Sequence, residues 1–130
     1  MRQITSHKVA GNEHNEVMIL VTDEPGAGGA NHKYEIWPPL NVAARSFQEA
    51  SAAIAEINFQ NGPIPVNGIT GVTHEVLLAI VADRLECFQA GPFPCHENEI
   101  ALLHVNRALE LLKNRTEDRI KRAVEGQLKA

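Results

Sequence analysis

The chain has 130 residues, a length typical of one compact domain, and 44% of them are hydrophobic against 22% charged. This average globular composition excludes a disordered tail and supplies enough apolar side chains for a buried core. The formal net charge of -4 excludes broad electrostatic binding to polymeric nucleic acid, which needs a basic face. A small anionic ligand needs only a local group of donors, so such ligands are not excluded.

Targeting signals and cysteine usage predict the compartment. No apolar run is long enough to cross a bilayer, and the polar start lacks the apolar stretch of a secretion signal. We therefore expect a cytosolic protein that does not bind membranes. Cys87 and Cys95 are the only cysteines, and a reducing compartment favours two free thiols over a disulfide. They match no zinc pattern, and the sequence predicts neither a metal nor a cofactor.

Alternating apolar residues predict β-strands near the start of the chain. Residues 17–22 alternate with the period of two that is typical of a strand, and residues 34–37 predict its partner. The glycine-rich residues 23–31 connect the two, which makes a long-looped β-hairpin. A further strand is predicted over residues 4–9.

An alanine-rich run and a cluster of turn residues follow. Residues 41–56 predict a helix capped by Asn41. Residues 57–60 alternate briefly and predict a short strand, after which Asn, Gly and Pro residues predict turns. The β-containing part is therefore expected to span residues 1–68.

The second half predicts an antiparallel helical hairpin over residues 69–126. Thr73 is the expected N-cap of the first helix, and Gly91 followed by proline stops it. A second helix is expected to begin near Cys95 or His96 and to end before Gly126. The expected fold is α+β: a small antiparallel sheet in the N-terminal half, then the hairpin, in a single domain.

Apolar residues of the second predicted helix cover more than one narrow face. The seam with three-then-four spacing consists of Leu102, Val105, Leu109 and Leu112. The apolar surface is widened by Ile100, Leu103 and Leu111. One partner helix cannot cover so wide a surface, so we expect docking of other elements or self-association.

The segment between the two predicted helices, residues 88–98, contains more aromatic and polar side chains than a turn requires. It contains Phe88, Phe93 and Asn98 in a chain with only 5% aromatic residues. Glycine and proline alone can turn the chain, so binding is the first hypothesis for these side chains. The alternatives are that Phe88 ends the apolar stripe of the first helix and that Asn98 caps the second.

Three segments in one order, residues 23–32, 58–64 and 88–98, carry a resemblance to a known family. Together they resemble the phage Thoeris anti-defense family, first type, whose members share a helical-hairpin domain with proteins that counter cyclic-oligonucleotide signalling. The resemblance implies a sponge that captures glyco-cyclic ADP-ribose, the messenger of bacterial Toll/interleukin-receptor enzymes, without cleaving it. Its place of action is then the cytoplasm of the infected bacterial host.

The resemblance also implies ligand contacts. It places a ligand-contacting ring at Phe88 and a polar contact at Asn98, and Phe93 offers a second ring face to adenine. His96 stands where most relatives carry arginine, so a phosphate contact there is weaker, pH-dependent or absent. Further polar or flexible candidates in the family pattern are Gly26, Gly28, Asn31, Gln60 and Asn61.

The glycine-rich loop has two interpretations. It lacks the third glycine of the dinucleotide fingerprint and the lysine of a P-loop, and it lies between strands rather than before a helix. As a flap it can bring glycine amides to an anion, and as a hairpin tip it is purely structural.

Some members of the family hold cyclic trinucleotides at a separate site of a hexamer, so the resemblance implies a homo-oligomer, either a dimer or a hexamer. Arg115 and Arg119 lie one helical turn apart and are the candidates for that second site. The alternative is an ordinary solvated helix face.

Enzyme motifs begin in this chain but are not completed. His74 and Glu75 open the zinc-protease helix motif, yet Leu78 stands where the second histidine belongs. His96 beside Cys95 lacks the remaining residues of a zinc deaminase. Two alternatives to a sponge remain open: a nucleotide hydrolase that uses His and Glu side chains, and a structural helical-assembly module.

Overall fold

The computed structural model describes residues 1–12, 16–39 and 52–129. The chain divides into two compact units, Met1–Val72 and Thr73–Ala130. The first unit contains an antiparallel sheet and the second a helical hairpin, which confirms the predicted α+β fold class. The organisation as a single domain stays a prediction. No helix in the described ranges combines the length and apolar character that a membrane crossing requires.

Four antiparallel strands form the sheet of the first unit in chain order. They are β1 (Arg2–Ile4), β2 (Met18–Val21), β3 (Lys33–Trp37) and β4 (Ala55–Asn58). In the inner strand β2, Leu20 pairs with Gln3 on one side and with Glu35 on the other. Leu20 and Val21 of this strand are buried. The predicted hairpin of β2 and β3 is confirmed.

Two boundaries in this unit differ from the sequence-based expectation. The strand predicted over residues 4–9 is wrong, because β1 ends at Ile4 and Lys8 N–H then donates to Thr5 O at 3.1 Å in a turn. Most of the helix predicted over residues 41–56 lies outside the described residues. Its last two residues, Ala55 and Glu56, form β4 by pairing with β3, so the helix prediction is wrong there.

The chain after β4 returns to the sheet through a short helix that was not predicted. Helix α1 (Ile64–Asn67) is a single turn, and Gly68 ends it with φ 73° while its N–H donates to Ile64 O at 2.8 Å. Phe59 and Val72 then form a parallel bridge beside β4. The turn residues at 61–63 and 67–68 are thus the two ends of one closed loop.

Two helices form the hairpin of the second unit, α2 (His74–Ala90) and α3 (His96–Lys129). Thr73 Oγ1 accepts from Val76 N–H at 3.4 Å, and Gly91 N–H donates to Phe88 O at 3.3 Å, so both predicted ends of α2 are confirmed. The predicted end before Gly126 is wrong, because α3 continues through it. Glycine costs about 1 kcal/mol in a helix interior but does not prevent helical backbone.

The packing seam of the hairpin follows the predicted spacing. Ala82 of α2 is buried, and Thr116 Oγ1 donates to Glu75 Oε2 at 3.3 Å across the hairpin. The half-buried apolar residues are Leu77, Leu78, Leu85, Leu102, Val105, Leu109 and Leu112. The widened apolar surface predicted on α3 stays exposed in this chain at Ile100, Leu103 and Leu111.

Candidate functional site

The turn between α2 and α3 is held by side chains as well as by backbone. The side-chain Oε1 of Gln89 accepts from Cys95 N–H at 3.0 Å, so a side chain of α2 fixes the far end of the turn. Cys95 caps α3, because its Sγ accepts from Asn98 N–H at 3.4 Å and its carbonyl from Glu99 N–H at 3.2 Å. The roles of Gln89 and Cys95 were not predicted, because a turn sequence does not reveal which polar atoms meet.

A groove opens beside this turn, with a cavity volume of about 490 Å³. Its lining consists of Asp83, Arg84, Cys87, Phe88, Gly91, Pro92 and Phe93. The size lies within the range of small-molecule sites. The structure therefore brings the two predicted ring residues, Phe88 and Phe93, to one cavity.

The rings of the groove are accessible. Phe88 is 50% exposed and Phe93 is 82% exposed, so neither is a core residue of this chain. Exposed aromatic rings in one cavity offer π faces on which a flat heterocycle can stack.

A positive charge lies against one of these rings. The guanidinium carbon of Arg84 lies 5.6 Å from the Phe88 ring centroid, which is a cation–π distance. Asp83 adds a carboxylate to the same lining. The groove thus combines apolar faces with one cation and one anion, an arrangement suited to a ligand with a flat base and a charged group.

Asn98 and His96 lie at the start of α3 and are not among the residues that line the groove. Asn98 is half-buried, and its side-chain amide makes no hydrogen bond within the described part of the chain. The cap of α3 is supplied by Cys95 instead, so capping does not explain Asn98. His96 is exposed as the first residue of the helix.

The glycine-rich loop of the first unit is closed at its base. The Asp23 carboxylate accepts from the backbone N–H of His32 at 3.0 Å and of Lys33 at 3.1 Å. Burial raises the pKa of Asp23, but these bonds and the charge of His32 outweigh it, so the pKa lies below its ordinary value of 3.8. Within the loop, Gly26 N–H donates to Ala30 O at 2.8 Å.

The tip of this loop is a 3-10 turn, Ala27–Gly29, that needs glycine. Gly28 has φ 76° and Gly29 has φ 79°, values that side chains with a Cβ disfavour. A methyl group built on Gly28 or Gly29 meets no atom within 4 Å, so the requirement is conformational rather than steric. The loop prediction is confirmed as the connection between β2 and β3.

Asn31 and Asn61 both bond to this loop region. Asn31 Nδ2 donates to Asp23 O at 2.7 Å, and its Oδ1 accepts from Arg2 at 2.8 Å. Asn61 Oδ1 accepts from Ala27 N–H at 3.4 Å. The structure thus groups Gly26, Gly28, Asn31 and Asn61 in one part of the first unit.

Gln60 shapes the loop that follows β4. Its Nε2 donates to Gly62 O at 3.0 Å and to Gly68 O at 2.8 Å, and its Oε1 accepts from Thr70 N–H at 2.9 Å. Both amide hydrogens and one oxygen lone pair are therefore used internally. This structural role was not predicted, because it depends on how residues 61–70 fold back.

Arg115 and Arg119 lie exposed on α3, and neither forms an ion pair with any residue in the described ranges. Arg107 and Glu110 of the same helix pair at 3.2 Å. The assignment of Arg115 and Arg119 to a trinucleotide site stays a prediction.

The described residues form neither a metal-binding group nor a disulfide. Within residues 1–12, 16–39 and 52–129, no group of three His, Cys, Asp or Glu side chains is arranged to hold a metal ion. Cys87 and Cys95 are exposed free thiols, as predicted.

Comparison with known proteins identifies the family. The family model described as Acb2/Tad1, hairpin domain matches residues 51–117, which is just over half of the chain and contains α2 and the turn. Thoeris anti-defense 1 of Bacillus phage SBSphiJ7 is 40% identical over 79 residues, which are 61% of this chain and 56% of the phage protein. The match thus spans little more than half the length of this curated relative. The chain belongs to the phage Thoeris anti-defense family and carries its Acb2/Tad1 hairpin domain.

Proposed function

We propose that the protein is a phage anti-defense sponge that binds glyco-cyclic ADP-ribose in the cytoplasm of the infected host and holds it without cleavage. The observation that carries this proposal is the half-exposed Phe88 ring with Arg84 against it, in a groove of the Acb2/Tad1 hairpin domain. Support for the defence context comes from the 40% identical relative named Thoeris anti-defense 1.

The groove supplies the contacts that an ADP-ribose ring compound requires. Phe88 and Phe93 offer faces for adenine, and stacking of a base on an aromatic ring contributes about 1–3 kcal/mol. Arg84 supplies the positive charge that a pyrophosphate needs. Asn98 lies at the start of α3, outside the lining of the groove, and we assign its amide as one donor and one acceptor for the edge of a base that extends beyond the groove.

Sequestration depends on slow release rather than on bond breaking. A turn that is already fixed before the ligand arrives loses little conformational entropy on binding, which favours a slow dissociation rate. The bond from Cys95 N–H to Gln89 provides such a fixed turn beside Phe93.

Several other predicted contacts remain part of this proposal and have weaker support. Gln60 is engaged internally, so we assign it to shaping its loop, while the backbone of the glycine-rich loop can approach an anion as a flap. The remaining predicted contacts are His96, Gly26, Gly28, Asn31 and Asn61.

Recovery of the ligand separates a sponge from a hydrolase. The protein is incubated with a small excess of glyco-cyclic ADP-ribose, freed of unbound ligand and denatured, and the released compound is quantified by mass spectrometry. Intact messenger in a ratio of about one per chain supports the sponge, because binding is stoichiometric. In a parallel incubation with a large excess, loss of many equivalents of messenger over time supports the hydrolase. If neither messenger nor product is retained and the melting temperature does not shift, the structural-module alternative is favoured.

A second ligand class, cyclic trinucleotides, is proposed for the pair Arg115 and Arg119. In a symmetric oligomer each subunit contributes its own copy of the pair, which multiplies a modest charge at one point. Arg119→Glu is therefore expected to abolish trinucleotide binding and to leave messenger binding unchanged. Arg107→Glu is the matched control, since Arg107 is already paired with Glu110. Trinucleotide affinity that survives in Arg119→Glu contradicts this assignment.

A further inference from the structure

A buried histidine lies beneath the glycine-rich loop. His32 is 7% exposed, and it is the buried polar residue of the described part of the chain. Its ring Nδ1 is buried and has no hydrogen-bond partner within the described ranges. Its backbone is firmly placed, because its N–H donates to Asp23 and its carbonyl accepts from Phe59 N–H at 2.8 Å.

Gly26 packs directly against the imidazole. A methyl group built on Gly26 would lie 3.0 Å from His32 Cε1, 3.1 Å from its Nδ1 and 3.2 Å from Asn61 Oδ1. The close approach itself leaves little room for a side chain at this position. The backbone of the loop at Gly26 is thus part of the surroundings of the buried Nδ1.

Protonation of His32 changes the free-energy cost of burying its Nδ1 against the loop. A neutral imidazole can leave Nδ1 as a bare acceptor, whereas an imidazolium carries an N–H donor at both nitrogens. A buried charged donor without an acceptor is strongly unfavourable, so Nδ1–H⁺ must reach water. Since Nδ1 is buried and Gly26 lies against this side of the ring, movement of the loop is the route by which water would reach it.

The charged groups around His32 decide how the loop responds. Asp23 lies at the loop base, Lys33 follows His32 in β3, and Arg2 of β1 binds the neighbouring Asn31. Asp23 attracts an imidazolium but already accepts from two backbone N–H groups, and the two cations oppose it. The described surroundings therefore attract a charged ring but place no hydrogen-bond acceptor at Nδ1.

We propose that the contact between His32 and Gly26 is a pH-sensitive lock, which holds the glycine-rich loop closed over the neutral imidazole and releases it when His32 is protonated. The loop amides that report on this state are Ala27, which donates to Asn61 outside the loop, and Gly26 and Gly29, which donate to Ala30 and Gly26 within it. The lock concerns the loop itself and operates with or without a messenger bound elsewhere.

The test is an NMR titration of the full chain from about pH 8 to about pH 5, the range in which histidines ordinarily change charge. The Cε1–H signal of His32 reports protonation, and amide hydrogen exchange of Gly26, Ala27 and Gly29, corrected for the intrinsic pH dependence, reports loop opening. We expect protection to fall at least about tenfold, equivalent to about 1.4 kcal/mol, with the same midpoint as the ring. Protection that is unchanged while His32 titrates overturns the lock.

Substitutions test whether the pH dependence of loop protection comes from His32. In His32→Gln the pH-dependent loss of protection is expected to disappear, whereas His104→Gln, which removes an exposed histidine of α3, is expected to leave it intact. If His32→Gln does not fold, Gly26→Ala provides the second test, since its methyl group would lie 3.0 Å from His32 Cε1 and 3.1 Å from Nδ1, so that the ring or the loop must shift. Low protection at every pH in Gly26→Ala supports the lock, and a wild-type pH profile in that variant overturns it.

Discussion

Phe88→Ala is the perturbation that most directly tests the proposed messenger site. The ring is 50% exposed, lines the groove and lies 5.6 Å from the Arg84 guanidinium carbon. Its removal takes away a stacking face. The backbone of α2 and the hydrogen bond from Cys95 N–H to the Gln89 side chain stay in place. The variant should therefore fold and lose affinity.

The expected magnitudes follow from burial and stacking. Full burial of a phenylalanine contributes about 1.5–3 kcal/mol, so a half-exposed ring contributes about 1 kcal/mol to folding. Loss of base stacking costs about 1–3 kcal/mol, which raises the messenger Kd about 5-fold to 150-fold. Binding is thus expected to suffer more than stability.

Isothermal titration calorimetry with glyco-cyclic ADP-ribose measures the Kd, and thermal unfolding checks the fold. Ile80→Ala is the matched control, because Ile80 is 54% exposed on the same helix and does not line the groove. Phe88→Tyr retains the ring face and is expected to bind almost normally. A folded Phe88→Ala protein with wild-type affinity would refute the stacking role and place the messenger outside this groove.

Three further predictions concern the scaffold. Asp23→Asn should lower the free energy of unfolding near neutral pH, and the difference should shrink as pH falls through the lowered folded-state pKa; urea unfolding from about pH 7 to about pH 3 checks this. A constant difference across this range would contradict it. Thr73→Ala should cost about 1 kcal/mol by removing the acceptor for Val76 N–H, and Thr73→Ser should restore most of it in thermal unfolding. Gly71→Ala should cost about 1–3 kcal/mol, because its methyl group would overlap the backbone carbonyl of Asn58; unchanged denaturant stability would refute this overlap.

The helical hairpin could be predicted because its signals are local. Thr73 and Gly91 act within one turn of their own positions, and the apolar spacing of α3 is repeated along the chain. The end of α3 was missed because glycine lowers helix stability only modestly, so Gly126 gives a weak stop signal. Local signals thus locate helix starts better than the end of a long helix.

The sheet and the polar contacts were harder to predict, because they depend on residues distant in sequence. The boundary of β1 is set by pairing with β2, where Ile4 faces Ile19, and no pattern in residues 4–9 contains that partner. The internal hydrogen bonds of Gln60 and Gln89 were missed for the same reason. A side-chain amide can bind a ligand or its own chain, and which of the two it does depends on the fold. A polar residue beside a site therefore needs its hydrogen bonds counted before it is assigned to a ligand.

In the proposed messenger complex, the position of Arg84 decides how a base can approach Phe88. In one arrangement the guanidinium keeps its place over one side of the ring and adenine stacks on the other. The cation would then stabilise the stacked complex through the ring and attract the pyrophosphate, a contact that salt screens. Arg84→Gln should raise the Kd at least about 2-fold to 5-fold, equivalent to about 0.5–1 kcal/mol, and should weaken the salt dependence of binding.

Arg84→Lys should recover the salt dependence but only part of the affinity, because an ammonium lacks the planar face and paired donors of a guanidinium. The opposite arrangement, in which adenine displaces Arg84 from the ring, predicts the opposite sign. Binding must then break the cation–π contact, so Arg84→Gln would bind messenger more tightly than the native chain. The direction of the change in Kd therefore determines whether the guanidinium and the base share the Phe88 ring or compete for it.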